Sequence, residues 1–494
     1  MCGIAGAAGT FDTNGEVKKM LIALEHRGPD TCGIYKTESL SIGNALLKIT
    51  GDMPQPLIGK GALVLNGEIF NFKDLASEYD IKTDSDTELL FFLIETRVKE
   101  GYMPIDAVYS ALSSVNGDYA LAYACGSELV LARDPVGVKP LFYSLNKEAE
   151  KPEIIFASEK KGLFYSGSRN FHTPESILTF PPGGVFSFNT QNENVMEKSL
   201  KIKLPQERIS EECEAALRLK AALEKAVELR LTLNAVIAFS GGIDSTFLAA
   251  IAKKLNPATP LYTVGLPDSH DIIQAKHAAE AIGMQECLKI RLLTYEEIES
   301  AVPNVIYATE SVDPMKIAIG LPLYFVAKTV KEDGKRVLLT GQGADELFGG
   351  YKRHETFYEK GQLVLDREIY SDLQSISAIN LERDDMVSMA NSVELRVPFL
   401  DKEVIKIGLA ISPELKVFKK DELYTRKYIL RKTAEPFLPS ELLWKEKKAM
   451  QYGTGVQKIL DKLSRDAGFS KSEGNHIEKY LRQVASEKRL EFIS

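Results

Sequence analysis

The chain has 494 residues, 44% of them hydrophobic and 26% charged, which is the composition of a soluble globular protein with two or three domains. Its net charge of −8 gives no support to nucleic acid or an anionic membrane as the main partner. No apolar run approaches the length of a membrane span, so no membrane partner is expected.

The five cysteines lie far apart and form no CxxC pattern, which favours a reduced, cytoplasmic setting. The six histidines show no metal-binding spacing. No signal peptide is expected, because Asp12 and Glu16 interrupt the start of the chain and no basic segment precedes an apolar one.

Cysteine is the second residue, and we expect Met1 to be removed because the side chain that follows it is small. Cys2 would then carry a thiol and a free α-amine on one residue. Ordinary pKa values are about 8.5 for a thiol and about 7.7–8.0 for an α-amine, so both groups exchange protons near neutrality. The amine can then act as the base for its own thiol. The start of the chain therefore predicts an N-terminal nucleophile, with an incidental cysteine as the alternative.

The first part of the chain is predicted to be rich in β-strands. Short apolar runs bounded by turn residues predict buried strands over 61–65, 119–123, 129–132 and 185–188. Helices are predicted over 17–24 and 87–98. The stretch 189–208 is polar and without periodicity, which indicates a linker, so we predict domains at 1–190 and 211–494 joined by 191–210.

Polar blocks follow one another along this first part. They read HRGPD at 26–30, LNGEIFN at 65–71, SDTE at 85–88, RDPVG at 133–137 and ASEK at 157–160. Together with Cys2 they resemble a class II glutamine amidotransferase domain of the N-terminal nucleophile type. The resemblance implies an α+β sandwich of two antiparallel sheets with helices.

In such a domain Cys2 would attack the side-chain amide of glutamine and produce a tetrahedral oxyanion. The side-chain amide of Asn66 and the backbone N–H of Gly67 can hold that charge, and losing one such donor typically costs about 10²–10³ in rate. A hairpin turn is the alternative interpretation of Asn-Gly, but it does not account for Cys2 and the other blocks. The resemblance also implies that Glu68 and Asp86 anchor the α-amine of glutamine.

Leu46 is a departure from the family pattern. The family usually has an arginine here, in a Gly-His-x-Arg-Leu-x-Ile block, that grips the α-carboxylate of glutamine, whereas this chain reads GNALLKI at 43–49. Lys48 or Arg27 could take over that role, or glutamine could bind weakly.

From residue 211 onward, helices and strands are predicted to alternate. A helix over 215–229, a strand over 236–239 and a helix over 245–255 predict a parallel sheet with helices on its faces. The residues after about 382 are predicted to be mostly helical. We therefore expect an α/β doubly wound domain with a helical C-terminal part.

The sequence SGGIDS at 240–245 lies between an apolar strand and an amphipathic helix. Backbone N–H groups at a helix N-terminus, unobstructed at two glycines, form a concavity that binds phosphate. The loop resembles the pyrophosphate loop of the N-type ATP pyrophosphatases, and the GxxxxGKS/T motif of Walker-type NTPases is missing. A capped helix start is the alternative. ATP contacts are predicted at Phe239, Ser240, Gly241, Gly242, Asp244 and Ser245.

Asp244 beside a phosphate group makes chemical sense only with a cation, so we predict it as a Mg²⁺ ligand. A second acidic loop, GQGADE at 341–346, follows the apolar strand predicted over 337–340. Loops at strand ends meet at the crevice of a doubly wound sheet, which makes Asp345 the second predicted Mg²⁺ ligand. Further ATP contacts are predicted at Val264 (on the adenine side), Thr340 and Gly341.

Three later blocks extend the resemblance to nearly the whole chain: LFGGY at 347–351, SVELRVPFLD at 392–401 and LWKEKK at 443–448. With two catalytic domains in this order, the chain resembles the glutamine-hydrolysing asparagine synthetases. That resemblance implies that MgATP converts the side-chain carboxylate of aspartate to β-aspartyl-AMP. Ammonia from the Cys2 reaction would pass through an internal channel and displace AMP. Lys447, or its neighbour Lys448, would stabilise charge on the phosphate, with a solvated helix face as the alternative for both.

Gln342 is the second departure, because the family usually has a glutamate there that is held to matter for forming or aminating the acyl-adenylate. Glutamine keeps the hydrogen bonding but cannot take up a proton, and Glu346 could assume part of the role. The expected substrates are glutamine, aspartate and ATP, and a homodimer is left open. Alternatives are an amidotransferase acting on another carboxylate, an ammonia-dependent synthetase with weak glutaminase activity, and a degenerate scaffold.

Overall fold

The computed structural model describes residues 2–51, 53–146, 153–166, 176–191, 195–421, 423–444 and 453–490. They form two compact units. The first unit comprises the described residues up to Ile202 together with Asn380–Ser392, a stretch that we call the 380–392 segment. The second unit comprises Lys203–Ile379 and Val393–Leu490.

The described residues of the first unit form twelve strands in two sheets. In chain order they are β1 Cys2–Ala8, β2 Thr31–Lys36, β3 Leu40–Leu46, β4 Leu57–Ile58, β5 Ala62–Ile69, β6 Gly117–Cys125, β7 Glu128–Arg133, β8 Phe142–Asn146, β9 Glu153–Ala157, β10 Leu178–Thr179, β11 Gly184–Asn189 and β12 Val195–Ser199. One sheet has the order β10-β8-β9-β1-β3-β2 and the other β12-β11-β7-β6-β5-β4. Every pairing within them is antiparallel.

The two sheets of the first unit pack face to face. Their shared apolar core contains side chains from both, such as Ile4 of β1 and Val64 of β5, and burying an aliphatic side chain of this size contributes about 1.5–3 kcal/mol. Helix Thr13–Ala23 packs on the outer face of the first sheet. Helices Asp86–Lys99 and Pro104–Ser113 cover the outer face of the second. These layers confirm the predicted α+β sandwich.

Three shorter helices complete the described part of the first unit: Phe72–Glu78, Lys160–Phe164 and, in the 380–392 segment, Glu382–Met389. The polar stretch 189–208, whose composition indicates a linker, contains one strand, because β12 pairs with β11 there. The residues of β12 alternate between exposed and half-buried at the edge of the sheet, so they lack the apolar run that marks an interior strand.

The second unit is built on a parallel sheet. Its strands are β13 Ala235–Ala238, β14 Leu261–Gly265, β15 Leu288–Leu292, β16 Val337–Leu339 and β17 Glu394–Arg396, in the order β15-β14-β13-β16-β17. The strand order reverses between β13 and β16, which is where doubly wound sheets bind ligands. The predicted parallel, doubly wound sheet is confirmed. A separate hairpin pairs β18 Val417–Lys420 with β19 Leu423–Arg426.

The helices of the second unit surround this sheet and make up most of the last part of the chain, as predicted. They are Glu212–Arg230, Ile243–Leu255, His270–Ala281, Tyr295–Thr309, Pro314–Glu332, Ala344–Leu347, Arg353–Glu359, Gln362–Ile376, Lys402–Ala410, Pro413–Lys416, Tyr428–Ala434, Ser440–Leu443, Val456–Asp466 and His476–Glu487. None of the helices in the described ranges combines the length and apolar composition that a bilayer crossing requires.

Candidate active sites

Cys2 and Asn66 lie on the two facing sheets of the first unit. Cys2 begins β1, and Asn66 lies within β5. The backbone nitrogen of Cys2 donates to Oδ1 of Asn66 over 3.1 Å, and both residues are buried. The packing of the sheets therefore places the predicted nucleophile beside the predicted oxyanion donor.

The amide nitrogen of Asn66 is a buried donor without a hydrogen-bond partner among the described residues. Leaving such a group unpaired costs about 1–3 kcal/mol, so folded proteins seldom keep one without a use for it. The carboxamide that carries it is the one whose oxygen accepts the hydrogen bond from the backbone nitrogen of Cys2. The side chain thus offers a donor for which the described residues supply no acceptor.

Gly67 lies opposite Tyr119 in the pairing of β5 with β6. A Cβ atom at Gly67 would lie 2.3 Å from the carbonyl oxygen of Asp118 and 2.7 Å from Cα of Tyr119. Only glycine lets the two strands approach this closely at the point where β5 passes Asn66.

Asp86 begins the helix Asp86–Lys99, whose start is fixed by Ser85 because the Ser85 side chain accepts a hydrogen bond from the backbone of Glu88. The backbone nitrogen of Ile69 donates to Oδ2 of Asp86 over 2.9 Å. The backbone nitrogen of Thr87 donates to Oδ1 over 2.7 Å. These bonds hold the carboxylate against the end of β5, the strand that carries Asn66.

Burial, together with the like charge of Glu68, raises the pKa of Asp86 to about 7. Glu68 is itself buried and accepts a hydrogen bond from the hydroxyl of Thr50. Two neighbouring carboxylates in a buried place favour a cationic ligand, because a positive charge relieves their mutual repulsion. An α-ammonium group is a ligand of that kind.

We expect kcat/KM for glutamine to fall as the pH drops below about 7, because the predicted partner of its cationic amine is the Asp86 carboxylate and not the protonated acid. In Glu68→Gln one like charge is lost, so the pKa of Asp86 falls and the acidic limb of the profile moves to lower pH. Initial rates of glutamate release between pH 5 and 9 measure the shift. Glu78→Gln, an exposed change in the same unit, should leave the limb in place. If the acidic limb of the pH profile does not move in Glu68→Gln, the assignment of Asp86 as the titrating group is contradicted.

Arg27 is fully buried, and each side of its guanidinium group is engaged. Nε donates to the carbonyl oxygen of Cys2 over 3.2 Å, Nη1 to Glu159 over 2.7 Å and Nη2 to Asp385 over 2.7 Å. Burial alone would lower the pKa of Arg27, but the charges of Asp385 and Glu159 outweigh it and raise the pKa above its usual value. Arg27 is thus built into the protein beside the nucleophile.

Leu46 is the last residue of β3, and Lys48 follows it by two positions. Leu46 is buried in β3, directly across from Cys2 in the pairing of β1 with β3. Lys48 is half-buried, and its backbone nitrogen donates to Oδ2 of Asp30 over 2.9 Å. Contact of Lys48 or Arg27 with the α-carboxylate of glutamine stays a prediction.

The SGGIDS loop follows β13 and leads into the helix Ile243–Leu255. Gly241 has a φ of +72°, and a Cβ atom there would lie 2.5 Å from the carbonyl oxygen of Gln274, so the turn requires glycine. Oγ of Ser240 accepts from the backbone nitrogen of Gly242 over 3.3 Å and lies 3.3 Å from Oγ of Ser245. Two hydroxyl groups and the start of a helix therefore converge, as a phosphate-binding loop requires.

Asp244 and Asp345, from the two loops at the reversal of strand order, converge on one point. The ammonium group of Lys427 occupies it, 2.8 Å from both carboxylate oxygens of Asp244 and 2.8 Å from Oδ1 of Asp345. A Cβ atom at Gly341 would lie 2.8 Å from Cβ of Asp244, so glycine is needed for this approach of the loops.

Paired carboxylates of this kind are ligands that Mg²⁺ takes, and an ion between Asp244 and Asp345 would displace the Lys427 ammonium group from that point. Protein sites for Mg²⁺ commonly offer one or two carboxylates and leave the remaining positions to water and substrate phosphates. In the described part of the chain no cluster of three or more His, Cys, Asp or Glu side chains could hold a metal. The hydroxyl of Thr340, at the end of β16, is buried and has no hydrogen-bond partner among the described residues, which adds an unused donor beside the loop.

The remaining predicted nucleotide contacts occupy strand ends of the same sheet. Val264 lies near the end of β14 and is buried. The backbone nitrogen of Phe239 donates to the carbonyl oxygen of Tyr262 over 2.8 Å, which ties the end of β13 to β14. Lys447 and Lys448 lie outside the described residues.

Gln342 and Glu346 lie on the loop that follows β16. Gln342 is half-buried, whereas Glu346 is buried and accepts a hydrogen bond from the hydroxyl of Tyr351. Burial raises the pKa of Glu346 above its usual range, and the bond from Tyr351 opposes the shift.

Two charged residues at these sites were not anticipated from the sequence. Lys427 is 183 positions from Asp244 and has a φ of 55°, and Asp385 is 358 positions from Arg27. Spacing carries no signal over such distances. Four of the seven residues at 426–432 are basic. This cluster is the one local hint in the sequence that a cation such as Lys427 contacts an anionic site.

Comparison with known proteins matches both parts of the chain. A family model described as a glutamine amidotransferase domain matches residues 1–181, and one described as asparagine synthase matches 218–360 and 356–490. A Methanocaldococcus jannaschii protein provisionally named asparagine synthetase (glutamine-hydrolyzing) 1 is 34% identical over 95% of this chain and 96% of its own length. An asparagine synthetase (glutamine-hydrolyzing) of Brassica oleracea is 27% identical over 93% of this chain and 79% of its own. Among solved structures, the glutamine phosphoribosylpyrophosphate amidotransferase of Bacillus subtilis is 20% identical over 59% of this chain and 65% of that chain, with a TM-score of 0.35.

Proposed function

Because this chain belongs to the glutamine-hydrolysing asparagine synthetase family, we propose that Cys2 releases ammonia from glutamine in the first unit and that the second unit activates aspartate with ATP to capture it. The chain is an ATP-dependent ligase that uses glutamine as its nitrogen donor. The steps assigned to single residues below are the proposal.

In the first reaction the Cys2 thiol attacks the side-chain carbonyl carbon of glutamine, and the α-amine freed by loss of Met1 takes up the thiol proton. The oxyanion accepts hydrogen bonds from Nδ2 of Asn66 and the backbone N–H of Gly67. As this adduct collapses, the α-ammonium group of Cys2 returns its proton to the leaving nitrogen, so that ammonia is expelled and a thioester remains, which water hydrolyses to glutamate and free Cys2. The unpaired amide of Asn66 beside Cys2 is the observation that carries the proposal.

Glutamine is proposed to bind through both of its α-substituents. The buried carboxylates of Asp86 and Glu68 take the α-ammonium group. Lys48 is proposed for the α-carboxylate, because the guanidinium of Arg27 is already occupied by Cys2 and two carboxylates.

In the second reaction the side-chain carboxylate of aspartate attacks the α-phosphate of ATP, giving β-aspartyl-AMP and pyrophosphate. The SGGIDS loop holds the phosphates, and the strand ends carrying Phe239, Val264, Thr340 and Gly341 border the nucleotide. Asp244 and Asp345 would hold Mg²⁺, which supplies neutralisation of the phosphate charge. Lys447 would stabilise the charge on the α-phosphate. Ammonia then attacks the acyl carbon, giving asparagine and AMP.

A product assay tests this function. Incubation with ATP, aspartate and glutamine should yield asparagine, glutamate, AMP and pyrophosphate in equal amounts. ADP and phosphate as the nucleotide products would contradict it. The second candidate function is amide formation on a different carboxylate, and Gln342 favours it because the family usually has glutamate there. Pyrophosphate release that requires a carboxylic acid other than aspartate would support this candidate. Activity with ammonium salts but not with glutamine would limit the function to an ammonia-dependent synthetase.

Asn66→Ala should lower kcat for glutamate release about 10²–10³-fold, because one oxyanion donor is removed. Ammonia-dependent asparagine formation should continue, since it does not use this donor. Asn44→Ala is the matched control: Asn44 is also buried in this unit, but its side chain donates to Gln55. An equal loss of kcat in both variants would show a general effect of removing a buried amide and would contradict the oxyanion role.

Three broader expectations belong to the same proposal. They are the domain division at 1–190 and 211–494 with 191–210 between, a reduced cytoplasmic setting, and a homodimer. The five cysteines are free thiols, which supports the reduced setting. Light scattering of the purified protein tests the oligomeric state.

A further inference from the structure

The 380–392 segment is tied into the first unit by polar and apolar contacts. Oγ of Ser392 donates to the carbonyl oxygen of His26 over 2.7 Å. Glu382 pairs with the buried Arg133 at 3.2 Å. Met386 lies in the apolar cluster beneath the helix Thr13–Ala23. The segment is therefore part of the core of this unit and not a surface loop.

One residue of the segment reaches the surroundings of the nucleophile. Oδ2 of Asp385 lies 2.7 Å from Nη2 of Arg27, and Nε of the same guanidinium group donates to the carbonyl oxygen of Cys2. The side chains of Arg27 and Asp385 are 0% and 1% exposed. In such a place an arginine must be matched by negative charge, because an unpaired buried ion is strongly destabilising.

Glu159 alone cannot neutralise the charge of Arg27, because its carboxylate also contacts two other basic side chains. Besides Arg27, it is contacted by Nε2 of His26 at 3.1 Å and by the buried ammonium group of Lys161. Burial would raise the pKa of Glu159, but Lys161, His26 and Arg27 together hold it well below its usual range. One carboxylate facing three basic side chains leaves Asp385 to balance the charge of Arg27.

We propose that Asp385 is a positioning residue for glutamine hydrolysis, which acts by holding Arg27 against the backbone carbonyl of Cys2. Two contacts then fix the nucleophile from opposite ends of its backbone: Asn66 binds its nitrogen and Arg27 its carbonyl oxygen. A fixed backbone limits where the thiol can point, and a displacement of about 1 Å can cost up to about 10²-fold in rate. This inference rests on the proposed glutaminase function of Cys2.

Asp385→Asn tests the proposal, because it keeps the size of the side chain and removes its charge. We expect kcat for glutamate release to fall about tenfold to a hundredfold, with the glutamine KM unchanged within about twofold since Asp385 does not reach the ligand. The maximal rate constant for labelling of Cys2 by a diazoketone analogue of glutamine should fall by the same factor. The concentration of the analogue that gives half of this maximal rate should not change. Ammonia-dependent synthesis in the same preparation should be unchanged and reports that the protein is folded.

Glu382→Gln is the matched control, because Glu382 lies on the same helix and pairs with a different buried arginine. It should keep its kcat. Equal losses in the two variants, or a rise in KM alone in Asp385→Asn, would overturn the proposal. If Asp385→Asn does not fold, Arg27→Lys is tested in its place. Lysine keeps the positive charge but cannot contact Cys2 and both carboxylates together. Full kcat in Arg27→Lys would likewise overturn the proposal. A wild-type protein that releases no glutamate would instead refute the proposed function.

Discussion

Cys2→Ala is expected to abolish glutamine-dependent asparagine formation while ammonia-dependent formation continues. Removing the nucleophile of a covalent mechanism typically costs about 10⁴-fold or more. The nucleotide loops are formed by other residues, at the ends of β13 and β16 in the second unit. Asparagine production with glutamine and with an ammonium salt, measured side by side, separates the two activities.

Cys32→Ala is the control for this experiment, because Cys32 is an exposed free thiol on β2 of the same sheet. It should keep both activities. An equal loss of both activities in Cys2→Ala would contradict the assignment of separate reactions. Mass spectrometry of the active protein adds an independent check: retention of Met1 would deprive the Cys2 thiol of its proposed base.

Asp244→Asn is expected to reduce pyrophosphate release at least about 10³-fold and to spare glutaminase activity. The carboxylate supplies half of the charged ligands at the two-carboxylate site, and such charge stabilisation of a transferring phosphoryl group is usually the largest single catalytic contribution. In the variant the Lys427 ammonium also loses one of its two charged partners. Pyrophosphate and glutamate should be measured on the same sample.

Asp366→Asn serves as the control for Asp244→Asn. Asp366 and Asp244 have the same side-chain exposure, 13%, and both pair with a basic residue, but Asp366 contacts Arg208 away from the nucleotide loops. Pyrophosphate release should persist in that variant. Titration with Mn²⁺, a spectroscopically visible substitute for Mg²⁺, should show weakened binding in Asp244→Asn alone; unchanged binding and unchanged release would remove Asp244 from the metal site.

Features that depend on short stretches of sequence could be predicted. The SGGIDS loop carries its own context of strand, glycines and helix, and the helix predicted over 87–98 is present as Asp86–Lys99. Burial on both faces makes β13 and β16 fully apolar, which is why their ends could be located. The parallel sheet and its binding edge follow from these elements.

Features that depend on long-range contacts could not be predicted. Lys427 follows the strand β19, whose exposed and half-buried residues give no apolar run. Asp385 lies in a helix whose first four residues are all charged, which is typical of a surface helix, yet most of the helix is buried. Burial of charge depends on partners far away in the chain, and a single sequence does not identify them.

The ion pair between Arg27 and Asp385 joins residues that are synthesised at very different times. The ribosome synthesises the chain from its N-terminus, so Arg27 is made early. Its partner Asp385 emerges more than three hundred residues later. By then β13 to β16 have already left the ribosome, and β17 follows within a few residues. The first unit therefore completes the charge balance around Arg27 only after four of the five strands of the parallel sheet have been made.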